Sequence, residues 1–322
     1  MNLDLIKENI ENVLEDTHFP SLGEKKKGKV RDIYASGENL TLISTDRHSS
    51  FDRNIALIPF KGEVLNQISL FWFEKTKDII ANHVLNSPDP SILVAKKCTP
   101  LAIECVMRGY ITGVTDTSLW THYKKGKRDF GDFVLPDGMY KNQKLETPVF
   151  TPTTKNDKHD RPVTIQEIIT EKLLPAETIK TLEEKSKALF ARGQEIALEK
   201  GLILVDTKYE FGLDENNQII LIDEIHTPDS SRYWKASTYE ERIQKGEEPE
   251  YFDKEFLRLW FKENCDPYND PVLPKAPNDL VAELSRRYVE IYETITGNEF
   301  KHDFSQTTKE RVSKSVLDLK TE

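Results

Sequence analysis

The chain has 322 residues, 37% of them hydrophobic and 31% charged, which is room for one large or two medium domains around a sizeable core. A formal net charge of −10 excludes a general nucleic-acid binder, which needs a basic surface, but leaves room for a local basic pocket that takes a small anion. No apolar run is long enough to span a membrane, and the three cysteines, Cys98, Cys105 and Cys265, lack zinc-like spacing. They fit a reducing cytoplasm better than a disulfide framework, and the polar start M-N-L-D-L-I-K-E-N-I is not that of a signal peptide. The expectation is a cytoplasmic protein with neither nucleic-acid nor membrane partner.

In chain order, Leu3, Ile6, Ile10 and Leu14 recur at helical spacing and predict an amphipathic helix over 2–16, ended at Phe19-Pro20. The run Gly23–Lys29, G-E-K-K-K-G-K, nearly matches a P-loop, but Val30 stands where a Ser or Thr should hold the metal and the chain continues as a strand. It reads instead as a glycine-containing turn between two strands, with Lys29 reaching a phosphate. Lys25, Lys26 and Lys27 read as a solvated run, while Lys29, Arg31 and Asp32 lie in strand context. Strands are predicted at Val30–Tyr34 and Leu40–Ser44, turning at Ser36–Asn39. The polar stretch Ser44–Arg53 is a loop in which Asp46 and Ser49 either bind a polar ligand or cap a turn. His48 has no neighbouring ligand set and reads as structural.

A buried helix is predicted over 63–77 and a strand over Leu101–Met107. Arg108, at the strand's exit beside Gly109 and Gly113, is either a bidentate grip for a carboxylate or phosphate or a plain surface arginine. A helix starts at Thr117–Tyr123. Residues 124–162, with Pro136, Pro148, Pro152 and Pro162, read as loop, and long loops are often functional. Lys155 in Thr151–Asp160 is either placed to close over a nucleotide or an ordinary loop lysine. Two helices follow between Thr164 and Gly201, then a hairpin, then helices at Asp253–Glu263 and Asn278–Ile295.

The hairpin, Gly201 to Trp234, carries the densest chemistry. Alternation puts Asp206, Lys208 and Glu210 on one face of its first strand. A two-residue turn at Asn216-Asn217 places Glu210 directly opposite Asp223. Asp229-Ser230-Ser231-Arg232 then adds hydroxyls and a guanidinium. Hard-cation ligands beside anion-binding groups are what a magnesium–nucleotide enzyme needs. The competing reading is a solvated hairpin with charged cross-strand pairs. Against it, Leu202–Val205 and Ile219–Ile222 are apolar on both faces, as in a buried sheet, where such charges are costly without a ligand.

Seven blocks occur in order: G-K-V-R-D-I-Y, S-T-D-R-H-S-S-F-D-R, K-G-E-V-L-N-Q-I-S, E-C-V-M-R-G-Y-I-T-G, T-P-T-T-K, V-D-T-K-Y-E-F-G and D-E-I-H-T-P-D-S-S-R-Y-W. Together they resemble the SAICAR synthetases, the phosphoribosylaminoimidazole-succinocarboxamide synthases of purine synthesis. The resemblance implies a mixed α+β and α/β, ATP-grasp-like fold: a β-rich domain over 1–107 that covers ATP, an α/β domain over 108–265 with the metal and substrate site, and a helical extension over 266–322. It implies that ATP, carboxyaminoimidazole ribonucleotide and L-aspartate give the succinocarboxamide, ADP and phosphate.

By the same resemblance, Glu210 and Asp223 hold Mg2+, and Lys29 and Lys155 meet the ATP phosphates, with Arg31 close by. Glu104 to Met107 greet adenine, mostly through backbone groups. Lys208 faces the reacting groups. Apart from the resemblance, the aspartate amine must be neutral to attack, and Asp206 is a candidate base. By the resemblance again, Arg108 and Arg232, with Ser231, hold the ribonucleotide. On their places in polar loops, and not from the resemblance, Ser230, Asp46 and Ser49 are further candidate substrate contacts. Two positions depart from the pattern: Val114 follows Gly113 where serine is common, leaving Thr115 or Thr117 to supply a hydroxyl, and His48 replaces an aliphatic residue. Two other functions remain open at this point: a small-molecule kinase, which would release no free phosphate, and a regulatory protein that binds ATP without turnover.

Overall fold

Residue contacts in a computed structural model divide the chain into two units, one of Met1–Glu74, His83–Lys97 and Phe252–Glu322, the other of Lys75–Asn82 and Cys98–Tyr251. The structure describes residues 1–319 apart from 52, 116, 156–160, 253 and 254. Asp116, the end of the Thr151–Asp160 segment and the head of the helix predicted at Asp253 therefore lie outside the described residues.

The first unit begins with helix α1 (Leu3–Glu8), much shorter than the periodicity predicts. Beyond the helix, two buried carboxylates hold the chain. Asp46 accepts the N–H of Leu14 at 2.7 Å and Asp32 that of Thr17 at 2.8 Å, donors that a longer helix would have used internally. Strands β1 (Glu24–Lys27), β2 (Arg31–Ser36) and β3 (Asn39–Ser44) follow, then a small hairpin of β4 (Arg47–Ser50) and β5 (Arg53–Leu57) where the sequence reads as loop. Helix α2 (Lys61–Thr76), β6 (Val84–Asp89) and β7 (Ile92–Lys96) come next. The sheet is antiparallel in the order β1-β2-β3-β7-β6. Strand alternation sends Tyr34, Ile43 and Ile92 into one core and Leu42, Leu93 and Ala95 into another, so both faces are covered. Between β1 and β2, Lys27 pairs with Asp32 and Gly28 N donates to Arg31 O at 2.8 Å, which is the turn between strands expected there, and not a P-loop.

In the second unit, β8 (Thr99–Tyr110) is central. Helix α3 (Leu119–Lys124) precedes β9 (Lys144–Phe150) and β10 (Thr153–Thr154), strands inside the stretch expected to be loop. A short helix α4 (Ile165–Thr170), opened by a Thr164–Glu167 capping box, leads to the long α5 (Ala176–Glu199). Strands β11 (Leu202–Leu213), β12 (Ile219–Ile222) and β13 (Ser231–Lys235) and helix α6 (Ala236–Gln244) complete it. β8 is flanked by β9 and β10 on one edge and by β11 on the other. β11 pairs along its far edge first with β13 and then with β12. The buried stripe of α5, Ile179, Leu182, Ser186, Leu189, Phe190, Gly193 and Ala197, packs on β8 and β11. Gly193 has to be glycine: a Cβ there would stand 2.4 Å from the His226 ring.

The chain then returns to the first unit as α7 (Glu255–Asn264), α8 (Asn278–Thr296) and α9 (Thr308–Asp318). Val312 and Val316 of α9 fill the core beneath Tyr34 and Ile43. Arg311 bonds Glu63 at 2.7 Å and pairs with Asp89, and His302 Nδ1 lies 2.8 Å from Glu63. The architecture is the mixed α/β one expected, β-rich at the amino end and helical at the carboxy end.

Candidate active site

One face of the second unit's sheet gathers most of the charged residues singled out in the sequence. A bulge at Val205 sets this up. Leu204 lies over Gly193 of α5, while Val205 packs with Tyr110, Trp234 and Tyr239. From Asp206 onward the alternation is restarted, and Asp206, Lys208 and Glu210 pair with Arg108, Val106 and Glu104 of β8. Directly opposed antiparallel residues share a face, so Glu104 and Arg108 point where Asp206, Lys208 and Glu210 point. Arg232 of β13 pairs with Asp206 and joins them. The odd-numbered residues of β8 from Leu101 to Met107 are buried on the α5 side, while Glu104, Val106 and Arg108 remain half-buried.

Lys208 is the hub. Its Nζ donates to Glu210 Oε1 at 2.6 Å and to Glu104 Oε1 at 2.8 Å, and Asp223 also acts on it. Burial opposes the lysine's charge, but Glu210, Asp223 and Glu104 outweigh burial and hold the ammonium protonated well above its ordinary range. Glu210 shows the converse. Burial pushes its carboxyl up, yet Lys208 and Lys155 together bring it down to about 2. Lys155 reaches Glu210 because β10 pairs with β8: Lys155 N donates to Ala102 O at 2.9 Å, one residue past the strand, and its ammonium bonds the second oxygen of Glu210.

Asp206 accepts from Arg232 Nη1 at 3.0 Å and faces Arg108 across the register. Arg108 Nε donates to Thr151 Oγ1 at 2.9 Å, and its guanidinium, which burial brings below its usual range, lines a cavity of about 460 Å3 together with Thr117, Lys127, Phe130 and Thr153. Thr153 donates to Glu104 Oε2 at 3.2 Å. The hydroxyls of Thr151 and Thr153 are site residues that sequence reasoning missed. Their signal was the T-P-T-T-K block, whose hydroxyl spacing acquires meaning only once β9 and β10 are known to border β8. Of the two threonines that could supply the hydroxyl missing at Val114, Thr117 lines this cavity.

Several expected positions lie elsewhere. The β11–β12 register pairs Glu210 with Ile222, so Asp223 is not its direct partner. The turn is the reason. Asp214 Oδ1 accepts the N–H of Asn216 and of Gln218, and Asn217 takes φ 58°, giving a three-residue loop where a two-residue turn was expected. Ser231 points to the other face and donates to Thr207 Oγ1 at 2.8 Å, apart from Arg232, while Ser230 stays beside Thr227. The Met107 side chain is fully buried, and its backbone pairs within the sheet with Thr207 and Phe150. Glu104 contributes its carboxylate and not only its backbone.

In the first unit, both oxygens of buried Asp46 are taken by backbone donors, Leu14 N at 2.7 Å and Gly62 N at 2.9 Å. That is the turn-bracing alternative. Ser49 lies in β4 opposite Asn54, His48 is buried, Arg31 opens β2, and Lys29 stands at the tip of the β1–β2 turn.

Among the described residues, no group of three or more His, Cys, Asp or Glu side chains forms a metal cage. The donors fit magnesium in its usual nucleotide-bound form, which uses one or two carboxylates and keeps water and phosphate for the other positions. Glu210 is ionised, and Glu210 and Asp223 converge electrostatically on the same ammonium.

Comparison with known proteins identifies the class. The family model for SAICAR synthetase matches residues 24–274. The phosphoribosylaminoimidazole-succinocarboxamide synthase of Legionella pneumophila (strain Paris) is 53% identical over 290 residues, covering 90% of this chain and 93% of the relative. The chloroplastic enzyme of Arabidopsis thaliana is 55% identical over 300 residues, 92% of this chain and 73% of that protein. Among solved structures, the SAICAR synthase of Saccharomyces cerevisiae complexed with SAICAR superimposes with a TM-score of 0.78 at 32% identity, over 90% of this chain and all 100% of that one. A type-2 SAICAR synthetase in complex with ADP gives a TM-score of 0.66 at 25% identity, over 87% of this chain and 100% of that one. The chain belongs to the SAICAR synthetase family and is an enzyme of that family.

Proposed function

We propose that this enzyme joins L-aspartate to carboxyaminoimidazole ribonucleotide with consumption of ATP, through an acyl phosphate. A carboxylate oxygen of the ribonucleotide attacks the γ-phosphorus and ADP leaves. The neutral amine of L-aspartate then attacks the acyl carbon, phosphate is expelled and the nitrogen gives up a proton. The observation that carries this reading is the single face on which Glu104, Lys208 and Glu210 stand beside Asp206, Arg232 and Arg108. The yeast relative's complex with SAICAR and the type-2 relative's complex with ADP support the choice of product and nucleotide.

Each residue's part follows from its surroundings. Lys208, kept protonated by its carboxylates, is not a proton acceptor. It is a fixed positive charge for the negative charge that spreads over the transferring phosphoryl group. Lys29 and Lys155 take the ATP phosphates. When bound at Glu210 and Asp223, Mg2+ supplies charge neutralisation for the phosphates. Arg108 opens onto a cavity large enough for a mononucleotide and is a planar fork for its phosphate or carboxylate. Asp206 orients Arg232 through their 3.0 Å bond. The incoming amine must be neutral.

The test is phosphate release from Mg-ATP with the ribonucleotide, with and without L-aspartate. Release that needs both co-substrates, with a product mass equal to the succinocarboxamide, is expected. Phosphoryl transfer to a hydroxyl without free phosphate, or ATP binding without turnover, would replace this reading with a kinase or a nucleotide sensor.

A further inference from the structure

We propose that Arg47 is a positioning residue for nucleotide binding, holding the turn Gly28-Lys29-Val30 so that its amide groups and Lys29 face the phosphates. The proposal rests on the reading that Lys29 meets ATP.

Arg47 opens β4 and is 1% exposed. Its guanidinium is spent on the turn and its base. Nε donates to Lys29 O at 3.1 Å, Nη2 to Gly28 O at 3.1 Å and to Asp32 Oδ1 at 2.8 Å, and Nη1 to Glu15 O. Two residues earlier, Thr45 captures Val30 O twice, through its N–H at 2.9 Å and its hydroxyl at 2.7 Å. Three successive carbonyls, of residues 28, 29 and 30, are thus drawn toward Thr45 and Arg47.

A trans peptide turns its N–H away from its C=O. The amide groups of Lys29 and Val30, in the same peptides as the Gly28 and Lys29 carbonyls that Arg47 holds, are therefore directed away from Arg47. Successive amides facing one way form an anion-binding concavity. The spacing of bonds needs a planar fork: lysine offers one ammonium point and cannot span Gly28 O, Lys29 O and Asp32 at once.

The charge balance shows that this is a built arrangement. Asp32 is fully buried, accepts from Thr17 N and Thr17 Oγ1 at 2.8 and 2.7 Å, and pairs with Lys25 at 3.0 Å as well as with Arg47. A desolvated ion pair is a poor source of stability alone, and a turn this short closes without one. What the guanidinium adds is one fixed orientation of the turn. It joins the blocks G-K-V-R-D-I-Y and S-T-D-R-H-S-S, which are separate in sequence.

The experiment compares Lys29→Met, Arg47→Lys and Thr45→Val in the full chain, reading ADP affinity by calorimetry, the KM for ATP, the KM for the ribonucleotide, and the melting temperature. Lys29→Met is expected to weaken ADP binding. Arg47→Lys is expected to raise the KM for ATP and the Kd for ADP about tenfold, the equivalent of one or two hydrogen bonds, with the ribonucleotide KM unchanged. Thr45→Val, which removes only the hydroxyl bond to Val30 O, is expected to shift the same two constants by a smaller factor, and it provides the test should Arg47→Lys fail to fold. A lowered melting temperature with unchanged nucleotide constants in Arg47→Lys and Thr45→Val, while Lys29→Met weakens ADP, overturns the positioning role. Unchanged ADP affinity in Lys29→Met overturns instead the phosphate reading on which the proposal rests.

Discussion

Glu210→Gln separates the electrostatic account of the site from a purely structural one. Glu210 is 9% exposed, and burial alone would raise its carboxyl above 4.5, but Lys208 and Lys155 bring it down to about 2. A carboxyl lowered that far contributes about 3 kcal/mol at neutral pH. The Lys155 side chain is 38% exposed, so water screens its share, and about 2 kcal/mol is the sounder figure. The sign follows from the direction of the shift. A depressed carboxyl stabilises the fold above its unfolded value of 4.5, and that contribution is lost as pH falls from 4.5 toward 2. Urea unfolding should therefore show wild type ahead of Glu210→Gln by about 2 kcal/mol at pH 7, nearly as much at pH 5, and measurably less at pH 4. Turnover should fall by a factor of about 10²–10³ or more, as for other groups that stabilise transition-state charge. A stability gap that stays flat or widens below pH 4.5 would refute the ion-pair account. Near-normal turnover at saturating magnesium would refute the metal role.

Asp46 should behave in the opposite sense. Burial raises its carboxyl from 3.8 to about 7 against the N–H donors of Gly62 and Leu14, so its contribution is full below 3.8 and lost as pH rises through 7. Asp46→Asn should flatten the decline in unfolding free energy between pH 5 and 7.5, measured by urea midpoints, and an unaltered slope would contradict this. Arg311→Met leaves Glu63 and Asp89 without their buried cation and should cost about 3–5 kcal/mol in the same assay. Arg108→Lys removes a fork from the cavity wall and should raise the ribonucleotide KM by about tenfold or more, with the KM for ATP little changed.

The sequence made some elements plain because their signals were local. The strands around Tyr34 and Leu42 and the long α5 carry their periodicity within one window, and helix α2 shows itself as one largely apolar run. What stayed hidden depends on partners far along the chain. The helix predicted over 2–16 stops at Glu8, and the chain beyond it is held by partners far along the sequence, Asp46 at Leu14 N and Asp32 at Thr17 N. β9 sits in a proline-bearing segment with no clear alternation, and its position comes from Arg108 and Met107 of β8. The carboxylate of Glu104 reads from sequence as one more strand residue, and it becomes part of the charged face only through its register with Glu210.

Asp223 shows how an expected site residue can be reached by a route that alternation does not predict. Moving a strand's register by one residue turns each side chain to the other face. Extended one step beyond Ile222, the observed register would set Asp223 opposite Tyr209, whose side chain is buried against His226. The chain leaves the strand at that step. Asp223 takes φ 71°, a left-handed conformation that aspartate adopts more readily than most residues, and its carboxylate acts on Lys208. The exit has a structural cause: β11 changes partner here from β12 to β13, and residues 223–230 fill the gap, with Lys208 N bonded to Ser230 O at 3.0 Å. His226, also left-handed at φ 51°, anchors the loop from below through the Tyr209 hydroxyl at 2.5 Å, and the Tyr233 hydroxyl donates to its carbonyl at 2.7 Å. Tyr209 lies between Lys208 and Glu210 in sequence. The strand that presents the two charged residues on one face therefore pins, with its other face, the loop that delivers Asp223 to them.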